Sequence, residues 1–168
     1  GDECEAARLY VDARAPAQGD GESWSTALAS LEEALSAAAG SGGRTTEIWV
    51  AAGTYRPSRE VVPSVDCSAT FAIPPGVGVY GGFAGSETAL EERRPLLHRT
   101  VLSGDRNGND VPGSGRSDPS RRDNCYHVVT ISSGDATTVV DGFVITAGNA
   151  MTQGAGMLIL GGSPTIAH

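Results

Sequence analysis

The stretch 137–150, TTVVDGFVITAGNA, constrains the fold of this chain more than any other segment. Its β-forming residues fall into two short groups, 139–140 and 143–145, which the pair Asp141-Gly142 separates. β-branched and aromatic residues favour strands, whereas an Asp-Gly pair favours a bend, and neither suits a helix. The stretch therefore predicts two short strands separated by a bend, as in one coil of a repeating structure.

Composition points to the same kind of structure. Glycine provides 23 of the 168 residues and aromatic residues only 5%, so a core must be built from Val, Ile, Leu and Ala in narrow layers. A solenoid of about one domain meets this requirement better than a globular sandwich does. The offset from Val79 to Val101 equals that from Val144 to Ile166, which suggests the length of one coil. We therefore expect stacked coils with parallel strands.

One amphipathic helix is predicted at about residues 25–39. Apolar residues from Trp24 to Ala38 recur at helical spacing, the acidic residues lie off that stripe, and Gly40 closes it. Trp24 is expected to be a packing residue at the start of the helix and not a sugar platform, because a large apolar ring leading a helical stripe usually belongs to the core.

The charge of the chain excludes several classes of partner and mechanism. The formal net charge is −8, so no nucleic-acid partner is expected, since binding to phosphates requires a basic face. All 12 basic residues are Arg, which excludes a lysine base or Schiff base from this segment. No apolar run approaches the roughly 18 residues of a membrane span, so no membrane insertion is expected in this segment.

The cysteines allow two interpretations. Cys4, Cys67 and Cys125 are far apart in the sequence and lack metal-type spacing. Three is an odd number, so at most one intrachain bridge can form. In an exported protein we expect either one disulfide that joins Cys67 to Cys4 or Cys125, or three free buried thiols.

The order of motifs along the chain is also informative. A strand around YVD, a Gly- and Asp-rich loop, a Trp, the Ala/Leu helix and EIWVAAGTY follow one another at the start. The later motifs are VYGGFAGSE (79–87), TVLSGD (100–105), DNCYHVV (123–129) and TTVVDGFVITAGNA (137–150). This order resembles bacterial extracellular proteins of the pectin-lyase-like class, with polymorphic-outer-membrane-protein-type repeats. The resemblance implies an all-β fold, a right-handed parallel β-helix (solenoid) with an N-terminal α-helical cap, and a secreted or outer-surface location.

The chain divides into three parts under this interpretation. Residues 1–8 are a leader or tether, 9–55 form the N-terminal cap, and 56–168 form the coils, which we expect to continue beyond residue 168. A surface excursion at 105–124, here called the excursion loop, interrupts the coils with almost no apolar residue. Long loops of this kind often carry function.

The start of the excursion loop is the best candidate for a metal site. Oxygen-bearing side chains surround Gly108, which lets the backbone turn sharply, and oxygen ligands are those that Ca²⁺ prefers. The pattern matches the first half of an EF-hand loop only in part, because Arg116 stands where that loop has a bidentate glutamate. The alternative is a solvated loop whose Asx turns bond their own backbone. The predicted Ca²⁺ ligands are Asp105, Asn107, Asn109 and Asp110.

No catalytic residue is predicted. Asp141 is the one acid inside a coil motif, and its place beside Gly142 predicts a structural role in bonding nearby backbone N–H groups. His98, His127 and His168 have no Cys or acid at metal-binding spacing, and no Ser-His-Asp order is persuasive.

The predicted function is a non-catalytic extracellular or cell-surface module, adhesin-like or structural and filament-forming. Its expected partners are glycans, or other copies of the chain that contact the open ends of the coils. The alternative is a polysaccharide lyase or glycoside hydrolase whose catalytic coils lie beyond residue 168.

Overall fold

The computed structural model describes residues 7–151 and 153–168, and of Asp66 only the backbone. These residues form one α-helix, four short 3-10 helices and eleven strands. The helix α1 is Leu31–Gly40, and the 3-10 helices are Trp24–Thr26, Asp66–Ser68, Leu90–Glu92 and Pro119–Arg121. The strands are β1 (Ala7–Val11), β2 (Thr45–Ala51), β3 (Gly53–Tyr55), β4 (Phe71–Ile73), β5 (Gly78–Phe83), β6 (Thr100–Ser103), β7 (Val129–Gly134), β8 (Val139–Asp141), β9 (Phe143–Thr146), β10 (Met157–Gly162) and β11 (Thr165–Ala167).

The strands form three parallel sheets. The largest has the order β1-β2-β5-β8-β11, and the others have the orders β4-β7-β10 and β3-β6-β9. Neighbours in a sheet are far apart in sequence, because parallel strands need crossover connections. Ile48 on β2 lies opposite Val79 on β5, which lies opposite Val140 on β8, so aliphatic residues stack from strand to strand.

Helix α1 begins later than the sequence predicts. Leu28 pairs with Val11 in an isolated parallel bridge, and its backbone exchanges hydrogen bonds of 2.9 Å with Tyr10 and Asp12. These contacts hold the chain extended just before the helix. Ser30 then caps it by accepting a hydrogen bond from Glu33 N, at 3.4 Å. The prediction of a helix from residue 25 is therefore wrong, although the end at residue 40 is close to the predicted one.

The fold is of the α/β type, and the prediction of an all-β right-handed parallel β-helix (solenoid) with a helical cap is wrong. Helix α1 lies in the crossover between the parallel strands β1 and β2, and its buried face, which includes Leu31 and Leu35, belongs to the main core. Helical residues make up 13% of the chain and strands 32%, and the described strands do not close a solenoid.

The equal offsets in the sequence did not mark one coil. Val79 lies in the five-stranded sheet, whereas Val101 lies in another sheet, opposite Thr54 and Val144. Equal spacing of aliphatic residues along the chain therefore does not place them next to each other in one sheet.

The stretch 137–150 does form two short strands. They are β8 and β9, and Gly142 bends the chain between them with a φ of +84°. A Cβ atom at this position would meet the carbonyl oxygen of Gly81 at 2.7 Å, so both the backbone angle and the close approach require glycine. The predicted two strands and bend are confirmed.

An aromatic cluster covers one face of the five-stranded sheet. Trp49 stacks on Phe83 with ring centroids 4.6 Å apart, and Trp24 contacts Tyr10 at 4.8 Å. The Trp24 Nε1–H donates to the carbonyl oxygen of Glu87 at 2.9 Å. Trp24 is thus a packing residue, as predicted, but it lies in the 3-10 helix Trp24–Thr26 and not at the start of α1.

Cys67 and Cys125 are both free thiols, so the predicted bridge between them is not formed, and Cys4 lies outside the described residues. Their segments are adjacent, because Tyr126 N donates to the carbonyl oxygen of Cys67 at 2.8 Å. Burial raises the pKa of the Cys125 thiol to about 11, which keeps it protonated and unreactive. In the described part of the chain, no helix is long and apolar enough to cross a membrane.

Candidate functional site

The excursion loop is an ordered surface segment between β6 and β7. Cys125 N donates to the carbonyl oxygen of Gly104 at 2.9 Å, which joins the two ends of the loop. Arg56 Nε donates to the carbonyl oxygen of Asp105 at 2.8 Å, and Arg116 Nε donates to Asn149 Oδ1 at 3.2 Å. The loop is therefore fixed to neighbouring segments at both its start and its middle.

Asp105 organises the first turn of the loop. It is buried, and its Oδ1 accepts a hydrogen bond from Asn109 N at 3.0 Å while its Oδ2 accepts one from Asp110 N at 3.1 Å. Both carboxylate oxygens thus bond the backbone of the residues that follow. The bonding of this carboxylate to its own loop is what the Asx-turn alternative predicts, but Asp105 is buried and not solvated.

The next two predicted ligands face Asp123. Asn107 N donates to Asp123 Oδ2 at 2.9 Å. The Asn109 amide is satisfied when its nitrogen points toward the carbonyl oxygen of Ser120, at 2.9 Å, and toward Asp123 Oδ1, at 3.2 Å. Asp123 therefore ties the start of the loop to its end, and Asn109 serves chiefly as a donor.

Asp110 is the predicted ligand with an oxygen left over. Its Oδ2 accepts a hydrogen bond from Asn124 Nδ2 at 3.0 Å and lies 3.4 Å from Arg121 Nη1. Asp110 Oδ1 and Asn124 Oδ1 are buried and have no hydrogen-bond partner. The sequence prediction missed Asn124, which stands directly before the buried Cys125. The signal in the sequence was an amide side chain at the last position of the loop, next to the start of an apolar segment.

The excursion loop, all of which lies within the described residues, lacks a conventional metal-binding cluster of acidic, thiol or imidazole side chains. No group of three or more His, Cys, Asp or Glu residues that could hold a metal ion is found among the described residues. Any cation here would depend on amide oxygens and water in addition to carboxylate, as Ca²⁺ sites commonly do.

A second cluster surrounds Asp141, where β8 ends. Arg93 Nη2 is hydrogen-bonded to Asp141 Oδ2, and His168 Nδ1 lies 2.8 Å from Asp141 Oδ1. The Arg93 guanidinium carbon lies 5.4 Å from the centroid of the Tyr80 ring. Chain segments that are far apart in the sequence thus meet at one carboxylate.

The electrostatics of Asp141 favour its charged form. Burial alone would raise the pKa of this carboxyl, but the hydrogen bonds from Arg93 and His168 outweigh burial, so the pKa is lowered. Among the described residues its partners are side chains, and not the nearby backbone N–H groups that its position beside Gly142 predicted. Sequence reasoning missed Arg93 and His168 because neither is near Asp141 in the chain.

A cavity of about 340 Å³ opens beside this cluster. Its lining includes Glu91, Arg93 and His168. The His168 side chain is 71% exposed, so its second ring nitrogen can face a ligand while the first is held by Asp141. A histidine oriented by a carboxylate is a general-base arrangement. His127 differs, because its Nδ1 lies 2.9 Å from the carbonyl oxygen of Gly154 and it has no such carboxylate partner among the described residues.

Other acids serve the turns in which they lie. Glu87 accepts hydrogen bonds from the backbone N–H groups of Ala84, Gly85 and Ser86, at 2.7 to 3.0 Å. Burial alone would raise the pKa of Glu87, but these hydrogen bonds outweigh burial, so the pKa is lowered. Asp135 Oδ1 likewise accepts from Thr137 N at 2.9 Å. These carboxylates are occupied by the chain itself.

Comparisons of the chain with protein-family models, with curated proteins and with solved structures gave no match. The resemblance to the pectin-lyase-like class therefore stays a prediction. The functional argument rests on the geometry of the excursion loop and of the Asp141 cluster.

Proposed function

We propose that the chain is a non-catalytic, structural or adhesin-like module of an extracellular or cell-surface protein. This proposal rests on the hydrogen bonds that acidic side chains accept from backbone N–H groups. Asp105, Glu87 and Asp135 each bond the backbone of their own turn, and so they rigidify the surface. An enzyme that acts on polysaccharides needs carboxylates or bases that face a substrate across a cleft.

The exposed sheet edges support a role in assembly. Strands β9, β10 and β11 each have a pairing partner on one side only in the described structure. Leu160 on β10 and Ile166 on β11 are exposed large apolar residues at this edge. Edge strands with unpaired backbone groups and apolar side chains favour pairing with another chain. The partners proposed are other copies of the chain at this edge, and glycans on the outer faces.

Sedimentation velocity over a range of protein concentrations tests the assembly role. We expect concentration-dependent association that Leu160→Lys abolishes, because a charge on an edge strand blocks pairing. Val61→Lys is the matched control, since Val61 is also exposed but lies outside the three sheets. In parallel, a glycan array measures glycan binding. A protein that stays monomeric at all concentrations and binds no glycan would contradict the proposal.

A second candidate is a polysaccharide lyase or glycoside hydrolase. The observation that favours it is the Asp141–His168 pair beside a cavity that Glu91 and Arg93 also line. In a lyase, a base removes the proton next to a sugar carboxylate and a cation neutralises that carboxylate. Arg93 already pairs with Asp141, which leaves it less charge to offer a substrate.

Product assays distinguish the two candidates. Acidic and neutral polysaccharides are incubated with the protein, and unsaturated products and new reducing ends are measured. Turnover that is lost in His168→Ala and kept in His127→Ala would support the enzyme. No turnover with any substrate would support the module.

A further inference from the structure

Two buried oxygen atoms of the excursion loop lack a hydrogen-bond partner. They are Asp110 Oδ1 and Asn124 Oδ1, and no other buried side-chain nitrogen or oxygen in the described part of the chain is in this position. Asn124 is only 1% exposed. An unsatisfied buried acceptor destabilises the folded protein, and more so when it is charged, so two on adjacent side chains require an explanation.

Asp110 and Asn124 contact each other, and this contact shows that the unpartnered atom of the Asn124 amide is its oxygen and not its nitrogen. Asn124 Nδ2 donates to Asp110 Oδ2 at 3.0 Å. An amide turned the other way would place its oxygen against the carboxylate oxygen, which is unfavourable. Both unpartnered atoms are therefore acceptors. The group that satisfies them must be a hydrogen-bond donor or a cation.

The charges around Asp110 favour a cation. Arg121 Nη1 lies 3.4 Å from Asp110 Oδ2, so this arginine pairs with the carboxylate through Oδ2 and leaves Oδ1 without a hydrogen-bond partner. Asp105 adds a second, buried carboxylate, and it holds Asp110 in place through the Asp110 N–H. A carboxylate oxygen and an amide oxygen are ligands that a hard cation such as Ca²⁺ prefers.

We propose that Asp110 Oδ1 and Asn124 Oδ1 are the protein side-chain ligands of a Ca²⁺ site in the excursion loop, with water completing the coordination. This differs from the site predicted from the sequence. Asp105 and Asn109 position the loop through their own hydrogen bonds, and Asn124 is a ligand. A site with one carboxylate ligand binds weakly, and we expect a Kd of roughly 10⁻⁴ to 10⁻³ M, as in extracellular Ca²⁺ modules.

Thermal melts of the whole chain at constant ionic strength test this site, with CaCl₂, MgCl₂ or chelator. We expect about 10 mM Ca²⁺ to raise the Tm by roughly 3–11 °C and the same concentration of Mg²⁺ to raise it less. Asp110→Asn should remove most of the shift. Asp135→Asn is the control, because it removes one loop carboxylate that bonds its own turn outside the excursion loop, and it should keep the shift.

Asn124→Asp provides a test that does not depend on loss of binding. If a cation binds, a second carboxylate ligand should tighten Ca²⁺ binding several-fold in a calorimetric titration. The variant should melt below the wild type in chelator, because two adjacent carboxylates repel, and Ca²⁺ should restore its Tm.

The proposal is overturned by two outcomes. In one, Ca²⁺ leaves the Tm of the wild type unchanged and does not rescue Asn124→Asp, so that a water molecule is what satisfies the two oxygens. In the other, Ca²⁺ shifts wild type, Asp110→Asn and Asp135→Asn equally, which is a nonspecific ionic effect. The site does not depend on the proposed structural role, and sedimentation of the same samples measures that role separately.

Discussion

The two ends of the five-stranded sheet differ in how their side chains are covered. At the β1–β2 end, helix α1 and the aromatic cluster cover the strands, and Leu31 and Trp49 are 1% and 0% exposed. At the other end of this sheet lies β11, where Ile166 is 47% exposed. The preceding strand β10, an edge strand of the β4-β7-β10 sheet, is also uncovered, and its Leu160 is 57% exposed; we call β10 and β11 together the open end. The backbone pairing is parallel at both ends. Identical backbone pairing therefore does not give identical burial.

This difference predicts a gradient of stability along the sheets. Burial of apolar surface contributes about 25 cal/mol per Å², whereas backbone hydrogen bonds replace bonds to water at little net gain. Local opening should then begin at β10 and β11, where few apolar side chains are covered. The three predictions below test this contrast, from the largest expected effect to the smallest.

The largest effect is expected from truncating the core at the covered end. Leu31→Ala should lower the free energy of unfolding by about 2–5 kcal/mol, because it removes a fully buried side chain of α1 and leaves a cavity. Leu160→Ala, the same substitution at the open end, should cost less than about 0.5 kcal/mol. Urea denaturation followed by circular dichroism measures both. Equal losses would mean that the two ends are equally covered in solution.

The second effect concerns Asp141, which ties the open end to the loop that carries Arg93. Asp141→Asn should destabilise the protein at pH 7 by about 1–3 kcal/mol, because a largely buried arginine loses its charged partner. The folded-state pKa of Asp141 is lowered from its ordinary value of 3.8. The contribution of Asp141 to the free energy of unfolding is therefore fully present above its ordinary pKa and is lost as the pH falls through the folded-state pKa.

Stability measured at several pH values checks this sign. The gap between wild type and Asp141→Asn should be constant from neutral pH down to about pH 5 and should close below about pH 4. Asp135→Asn is the control, because Asp135 is exposed and bonds only its own turn in the contacts described above; its effect should be smaller. A gap that widens below about pH 4, where carboxyl groups titrate, would show that Asp141 is protonated in the folded protein.

Local patterns predicted the local structure of this chain well. The β-branched groups on either side of Gly142 form β8 and β9, and the apolar stripe ending at Gly40 forms α1. These features depend on neighbouring residues alone. The start of α1 was missed because Leu28 pairs with Val11, a contact that no local pattern encodes.

Long-range pairing explains the other errors. The segments 100–104, TVLSG, and 138–142, TVVDG, share one pattern because both are strands that end in a bend. They nevertheless lie in different sheets. For the same reason, the sequence placed the candidate ligands within six consecutive residues, whereas the unpartnered oxygen of Asn124 comes from the far end of the excursion loop. The Asp141 cluster was missed because Arg93 and His168 reach it from distant segments.

The smallest effect comes from two glycines, one near each end, that have space around them. A Cβ atom at Gly40 or at Gly161 would meet nothing within 4 Å, so replacing either glycine by alanine causes no clash with neighbouring residues. The backbone conformation then determines the effect on stability. Gly40 is the last residue of α1, and alanine there should stabilise the protein by about 0.4–1 kcal/mol, because it lowers the entropy of the unfolded chain.

Gly161 lies in β10 with a φ of +81°, a conformation that costs alanine about 1 kcal/mol or more. Gly161→Ala should therefore destabilise β10, and hydrogen exchange should accelerate first in β10 and β11 while protection at β2 is unchanged. If the two ends unfold together, exchange at β2 should accelerate by the same factor as at β10. The pattern of exchange in this one variant thus decides whether the sheets behave as a single cooperative unit or open from their exposed end.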